Sequence, residues 1–128
     1  MNPMADAHVA LAAEPSMVTH QDDLNNCACS ASFAASLSIF LGHFPDQPMV
    51  PGVHQLALFV ALFRRASNHP QAHVVGIRRC KWTAPVKPDE SLDVHIKWQE
   101  QAGQVLLQGT IRRGEVLTCQ CQLDILLA

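Results

Sequence analysis

The sequence predicts an α+β fold in which an antiparallel sheet wraps around one long buried helix, and three observations point to it. The run from Leu56 to Phe63 is apolar without a break, and across Val53 to Ala66 the apolar side chains cover nearly every direction around a 3.6-residue turn. A surface helix keeps a polar face, so this one is buried. Beyond it, apolar residues recur at every second position through short stretches separated by Gly103 and by Arg113-Gly114, the mark of half-buried strands joined by tight turns. Ahead of it, Pro45, Pro48 and Pro51 exclude both helix and central strand between His43 and Pro51, leaving a stiff loop. One helix followed by strands with short connections gives an antiparallel sheet closed over that helix.

Taken in order, Met1 to Ala7 reads as a flexible leader, and Val9 to Ala13 with Met17 to His20 as a first strand interrupted at Glu14-Pro15. Cys27 to Ala34 alternates, with Cys27, Cys29, Ala31 and Phe33 on one face and Ala28, Ser30, Ser32 and Ala34 on the other. Pro51 stands where a helix opens, since its missing N–H falls among the orphan donors of the first turn, and Gly52 permits close approach of another group to the backbone. Arg64, Arg65, Ser67 and Asn68 mark the helix exit, and His69-Pro70 ends it. Val74 to Thr83 is the least regular strand. Leu92 to Gln99 turns Leu92, Val94, Ile96 and Trp98 inward, Val105 to Ile111 repeats the period, and Leu117, Cys119, Cys121, Leu123 and Ile125 form the last apolar face.

The chain has 128 residues, enough for a single domain over residues 1–128. Its longest apolar run, Leu56 to Phe63, is far short of the roughly 20 residues that span a bilayer. No Lys or Arg precedes an apolar stretch at the N-terminus, and five cysteines form no disulfide framework, so a soluble protein in the reducing cytoplasm is expected. Every Lys and Arg lies at or after Arg64, while the preceding residues carry acids alone. Arg64, Arg65, Arg78, Arg79 and Lys81 are either an ordinary solvated surface or a patch that steers an acidic partner. A net charge of −2 without a recognition motif argues against nucleic acid. Two C-x-C pairs, Cys27/Cys29 and Cys119/Cys121, have the ligand types of a zinc site. Each pair lies on the apolar face of a strand, however, where cysteine acts as a small hydrophobe, and no metal or cofactor is expected. No G-x-S-x-G elbow is present to support covalent catalysis.

The stretch SIFLGHFPDQPMVPGV resembles the signature of the hot-dog-fold 3-hydroxyacyl-ACP dehydratases of fatty-acid synthesis and their relatives in polyketide and aryl-polyene pathways, approximately GHFPGxPxxPGVxxxE. The likeness is close over Ile39 to Val60, weaker in KWTAPVKPDESLDV from Lys81 to Val94, and returns in the closing LDILLA. It implies a hot-dog fold, two subunits joined through their sheets with active sites between them, and an acyl carrier protein or coenzyme A thioester as substrate. By the same resemblance His43 is the base and the Gly52 amide holds the thioester carbonyl, with Phe44, Pro51, Val53 and Ala57 around the acyl group. Two positions depart from the signature: its acid falls on Ala57, and its glycine after GHFP is Asp46.

Dehydration of a 3-hydroxyacyl thioester needs a base for the C2 proton, donors for the enolate oxygen and an acid for the leaving hydroxyl. Imidazole at His43 suits the first at neutral pH. With Ala57 in the acid position, four sources of the last proton stay open: His43 as imidazolium, His54, Asp46 or a bound water. His54 lies three residues before Ala57, near the same helix face, and is alternatively a packing residue at a subunit contact. His8, His20, His69, His73 and His95 occupy polar or turn contexts and read as surface residues. Two other functions fit the same residues, hydrolysis of an acyl thioester and acyl-ACP binding without catalysis; the helix lacks the acid a thioesterase would use, and Ala57 favours the binding role.

Overall fold

In the computed structural model of the protein, the described residues are 18–21, 25–35 and 49–127. They form six strands and one helix: β1 (Val18–Gln21), β2 (Asn25–Ala31), α1 (Gly52–Ser67), β3 (His73–Trp82), β4 (Leu92–Gln101), β5 (Gln104–Arg113) and β6 (Val116–Leu126). The strands make one sheet in the order β1-β2-β4-β5-β6-β3, every pair antiparallel. The expected leader and the segment Val9 to Ala13 lie outside the described residues.

The helix fills the hollow of the sheet. From His54 to Phe63 every residue is buried, and Leu58, Phe59, Leu62 and Phe63 have no accessible surface, each side chain contributing about 1.5–3 kcal/mol of burial. Phe59 lies so close to β5 that a Cβ at Gly109 would stand 2.6 Å from its ring, so glycine is what lets helix and sheet meet there. Phe63 meets Trp98 edge to face, with ring centroids 5.1 Å apart. The helix ends on Asn68 in the left-handed conformation (φ 58), with the His69 N–H bonded to Arg64 O at 3.2 Å.

Alternation holds where the sequence predicts it. Cys27, Cys29, Ala31 and Phe33 are buried, as are Leu92, Val94 and Ile96, although β2 ends at Ala31, three residues early. Ala102 (φ 54) and Gly103 (φ 80) form the two-residue β4–β5 turn, and Gly114 (φ 60) opens the next. The irregularity expected in Val74 to Thr83 takes the form of register shifts between Val74 and Gly76 and between Ile77 and Arg79. Leu117 departs from expectation. A register shift between Ile111 and Arg112 pairs Cys119 with Ile111 and Leu117 with Arg112, so Thr118 takes the buried place and Leu117 is only half-buried. The Thr118 hydroxyl donates to Ile111 O at 3.2 Å, which makes its burial affordable.

The helix entry is fastened to the β3–β4 connection. Val50 N–H donates to Val86 O at 2.8 Å, and the Arg113 guanidinium holds Pro85 O and Glu90 Oε1. Glu90 Oε1 also accepts from Lys87 N–H at 2.6 Å. These bonds set the distance between the start of α1 and the Pro85-Val86 turn, which bounds the cavity described next.

Candidate functional site

Pro51 caps α1 at φ −59 and ψ 145 without a side-chain capping bond, the His54 N–H donates to Pro51 O at 3.0 Å, and no acid lies in the first turn. Among the described residues, the positive end of the helix is therefore left without a compensating side chain, where a ligand oxygen gains most from it. Beside it opens a cavity of about 560 Å³ bounded by Gly52, Val53, Gln55, Trp82, Ala84 and Pro85, among others. Its wall is mostly apolar, and Val53 (41% exposed) and Trp82 (49%) leave it open to solvent.

Gly52 and Val53, expected at an acyl site, do line this cavity, and Pro51 is the half-buried residue that opens the helix. The glycine has a local reason as well: a Cβ there would lie 2.6 Å from Cε2 and 2.9 Å from Nε1 of Trp82. The indole is thus laid flat on the helix start. His54 and Ala57 are both buried, and neither is among the residues bounding this cavity. His43, Phe44 and Asp46 lie outside the described residues.

Gln55 and Trp82, both on the cavity wall, were not singled out in the sequence. Gln55 is 3% exposed, and its Oε1 has no hydrogen-bond partner among the described residues. A carboxamide inside an otherwise apolar helix was the available signal. Trp82 carries no such signal, since only the fold brings the end of β3 to the start of α1.

The five basic residues differ in their partners. Arg64 Nε donates to Ala72 O at 2.7 Å, and Arg65 stands exposed beside it at the helix end. Arg78 forms a two-oxygen ion pair with Asp124 at 3.0 and 3.1 Å. Arg79 and Lys81 line a separate hollow of about 260 Å³ on the outer face of the sheet, together with Lys97 and His95. Of the remaining histidines, His73 is exposed, His69 half-buried, and exposed His95 has Nε2 3.1 Å from Asn26 Oδ1. His8 lies outside the described residues, as does the side chain of His20.

The C-x-C pairs lie on β2 and β6, which β4 and β5 separate, so the pairs stand roughly 14 Å apart at ~4.8 Å per strand. Four thiolates cannot converge across that distance, and no group of three or more His, Cys, Asp or Glu among the described residues could hold a metal. Burial pushes the Cys29 thiol up to about 11, and it likewise raises Cys27, Cys119 and Cys121, keeping them protonated. No described helix is long and apolar enough to cross a membrane.

The ApeI-like family, described as ApeI dehydratase, matches residues 19–120. A 3-hydroxyacyl-[acyl-carrier-protein] dehydratase FabZ from Novosphingobium aromaticivorans is 28% identical over 98 residues, covering 70% of this chain and 62% of the relative. FabZ from Anaeromyxobacter sp. is 33% identical over 89 residues, covering 61% of this chain and 57% of its own. The chain thus spans under two thirds of the length of these curated relatives. Among solved structures, the dehydratase heterocomplex ApeI:P from Xenorhabdus doucetiae superposes with a TM-score of 0.70 at 23% identity, over 88% of this chain and 98% of that one. That likeness establishes the hot-dog fold.

Proposed function

The chain belongs to the ApeI-like dehydratase family, and from that premise we propose that it removes water from a 3-hydroxyacyl thioester on an acyl carrier protein, giving the trans-2-enoyl thioester. The observation that carries the proposal is the uncapped start of α1, which opens on an apolar-walled cavity at Gly52. The thioester carbonyl accepts from the Gly52 N–H, and the helix end stabilises the oxygen as negative charge develops on it. His43 takes the C2 proton, the electron pair moves into the C2–C3 bond, and the C3 hydroxyl departs as water. Its proton comes from the His43 imidazolium, His54, Asp46 or a bound water, because Ala57 has none to give. The pathway in view is a specialised fatty-acid-like, polyketide or aryl-polyene one, where loss of the usual acid is more readily accommodated.

A second subunit belongs to this reading. Among the described residues, β3 is an edge strand that exposes Val75 (52%) and Ile77 (56%), and such an edge is a template for a further strand. Pairing there with a second copy, or with a homologous chain as in the heterocomplex named for X. doucetiae, continues the sheet. Sedimentation of the purified protein should give at least a dimer, and a well-folded monomer overturns the shared-site arrangement.

Incubation with a 3-hydroxyacyl-ACP, followed by intact mass, tests the chemistry. Loss of water from the loaded carrier supports dehydration, and loss of the whole acyl group indicates hydrolysis. Tight binding with neither change favours a non-catalytic acyl-ACP-binding role, for which Ala57 is the supporting residue.

A further inference from the structure

Among the buried polar side chains of the described residues, Gln55 carries an acceptor that the fold leaves unused. Thr118, equally buried, donates to Ile111 O, whereas Gln55 Oε1 meets no partner among the described residues. An unpaired acceptor so deeply buried weakens the fold, and a leucine of similar size would fill the same space without that cost. The side chain nevertheless borders the cavity, three residues beyond Gly52 and so on nearly the same face of α1. Thr83, also on the cavity wall, has its hydroxyl bonded to Leu117 O at 2.5 Å and its N–H to Thr118 O. Among the described residues, the cavity therefore presents a helix end that donates and, one turn further in, a carboxamide oxygen that still accepts.

We propose that Gln55 Oε1 accepts a hydrogen bond from the C3 hydroxyl of the substrate and so selects 3-hydroxyacyl thioesters over their 3-deoxy counterparts. The inference rests on the dehydratase reading for its ligand class. Residues three apart on a helix lie about one turn apart on nearly the same face, and only four bonds separate the carbonyl oxygen of a 3-hydroxyacyl thioester from its C3 hydroxyl oxygen, a span the flexible carboxamide arm of Gln55 can meet. A ligand whose carbonyl sits at the Gly52 amide thus brings its hydroxyl to Gln55. The carboxamide holds the hydroxyl and transfers no proton, so it is a substrate-contacting and selective group distinct from the acid that completes the reaction.

The test is binding without turnover. Calorimetry with a 3-hydroxyacyl-pantetheine and the matching 3-deoxy acyl-pantetheine, in a His43→Ala background so that neither is consumed, compares Gln55 with Gln55→Leu. The Gln55 protein should prefer the hydroxylated ligand by roughly ten-fold, the worth of one hydrogen bond to a buried group. Gln55→Leu should bind both ligands equally, bind the deoxy ligand at least as tightly as its parent, and melt at the same or a higher temperature. Three results overturn the proposal. One is equal affinity of the Gln55 protein for the two ligands, or no binding of either. Another is a preference that survives Gln55→Leu, as expected if the carboxamide reaches a pantetheine amide instead. The third is a lower melting temperature for Gln55→Leu, which assigns Gln55 a structural partner. Turnover is measured separately on protein with His43 intact: selective binding without dehydration leaves Gln55 standing and removes the dehydratase reading, and the converse removes only Gln55.

Discussion

Two glycines meet the same geometric obstacle and should respond to alanine in opposite ways. At Gly109 an added Cβ comes within 2.6 Å of the Phe59 ring, and at Gly52 within 2.6 Å of the Trp82 ring. Restoring ordinary carbon contact of about 3.6 Å demands roughly 1 Å of retreat in both places. Phe59 has no accessible surface and nowhere to go, so Gly109→Ala should cost about 1–3 kcal/mol, the usual range for overpacking. Trp82 is 49% exposed and can swing outward, and alanine is favoured over glycine within a helix by up to about 1 kcal/mol. Gly52→Ala should therefore change stability by less than about 1 kcal/mol. Its effect belongs in catalysis, since the wall of the cavity and the approach to the Gly52 amide both shift, and a fall of about ten-fold or more in kcat/KM is expected. Urea titration and steady-state turnover of the two variants separate the outcomes. Near-normal stability of Gly109→Ala would refute the close helix–sheet packing, and full activity of a stable Gly52→Ala would refute a site at the helix start.

Other expectations follow from the same structure. Ala102→Asn should stabilise by about 0.5–1 kcal/mol, because Ala102 holds φ 54 in a turn that favours asparagine, and an unchanged urea midpoint speaks against that strain. Native protein should yield only the half-buried Cys80 to a thiol reagent at mild pH, with Cys27, Cys29, Cys119 and Cys121 reacting after denaturation. The Cys29 pKa is raised to about 11 in the fold from a usual 9.0, so its contribution to stability is complete below pH 9 and is lost as pH rises through 11. The urea midpoint should fall across that window, and a flat profile contradicts thiol burial. His54→Ala and Asp46→Ala, each assayed for kcat separately from substrate binding, identify the proton donor, since loss of a general acid costs about a hundred- to ten-thousand-fold in rate.

Much of this fold is legible in the residues because helix and strand periods are so distinct. The apolar run within Val53 to Ala66 has no polar face, and the observed helix, Gly52–Ser67, differs by one residue at each end. Leu92, Val94 and Ile96 alternate as a half-buried strand must. Leu117 was not legible, since its facing depends on a register shift between β5 and β6, which pairing decides and local pattern does not. The partners of the basic residues were not legible either: Arg64 is bonded to Ala72 O and Arg78 to Asp124, contacts that only the fold creates. Gly52 was legible through its motif, while Trp82, which explains the glycine sterically, lies thirty residues away and meets it only through the sheet. Gln55 was visible as a polar residue in an apolar helix, but its unpaired oxygen is a property of packing alone.

The central claim is that this chain, with alanine at position 57, still eliminates water from a 3-hydroxyacyl thioester by means of His43 and the start of α1. Intact-mass analysis of 3-hydroxyacyl-ACP incubated with the protein and with His43→Ala tests it most directly. The account predicts slow conversion to the enoyl-ACP by the unsubstituted protein and none by a folded His43→Ala. Conversion at an equal rate by both, or tight binding of acyl-ACP with no loss of water across matched acyl chains, would contradict it.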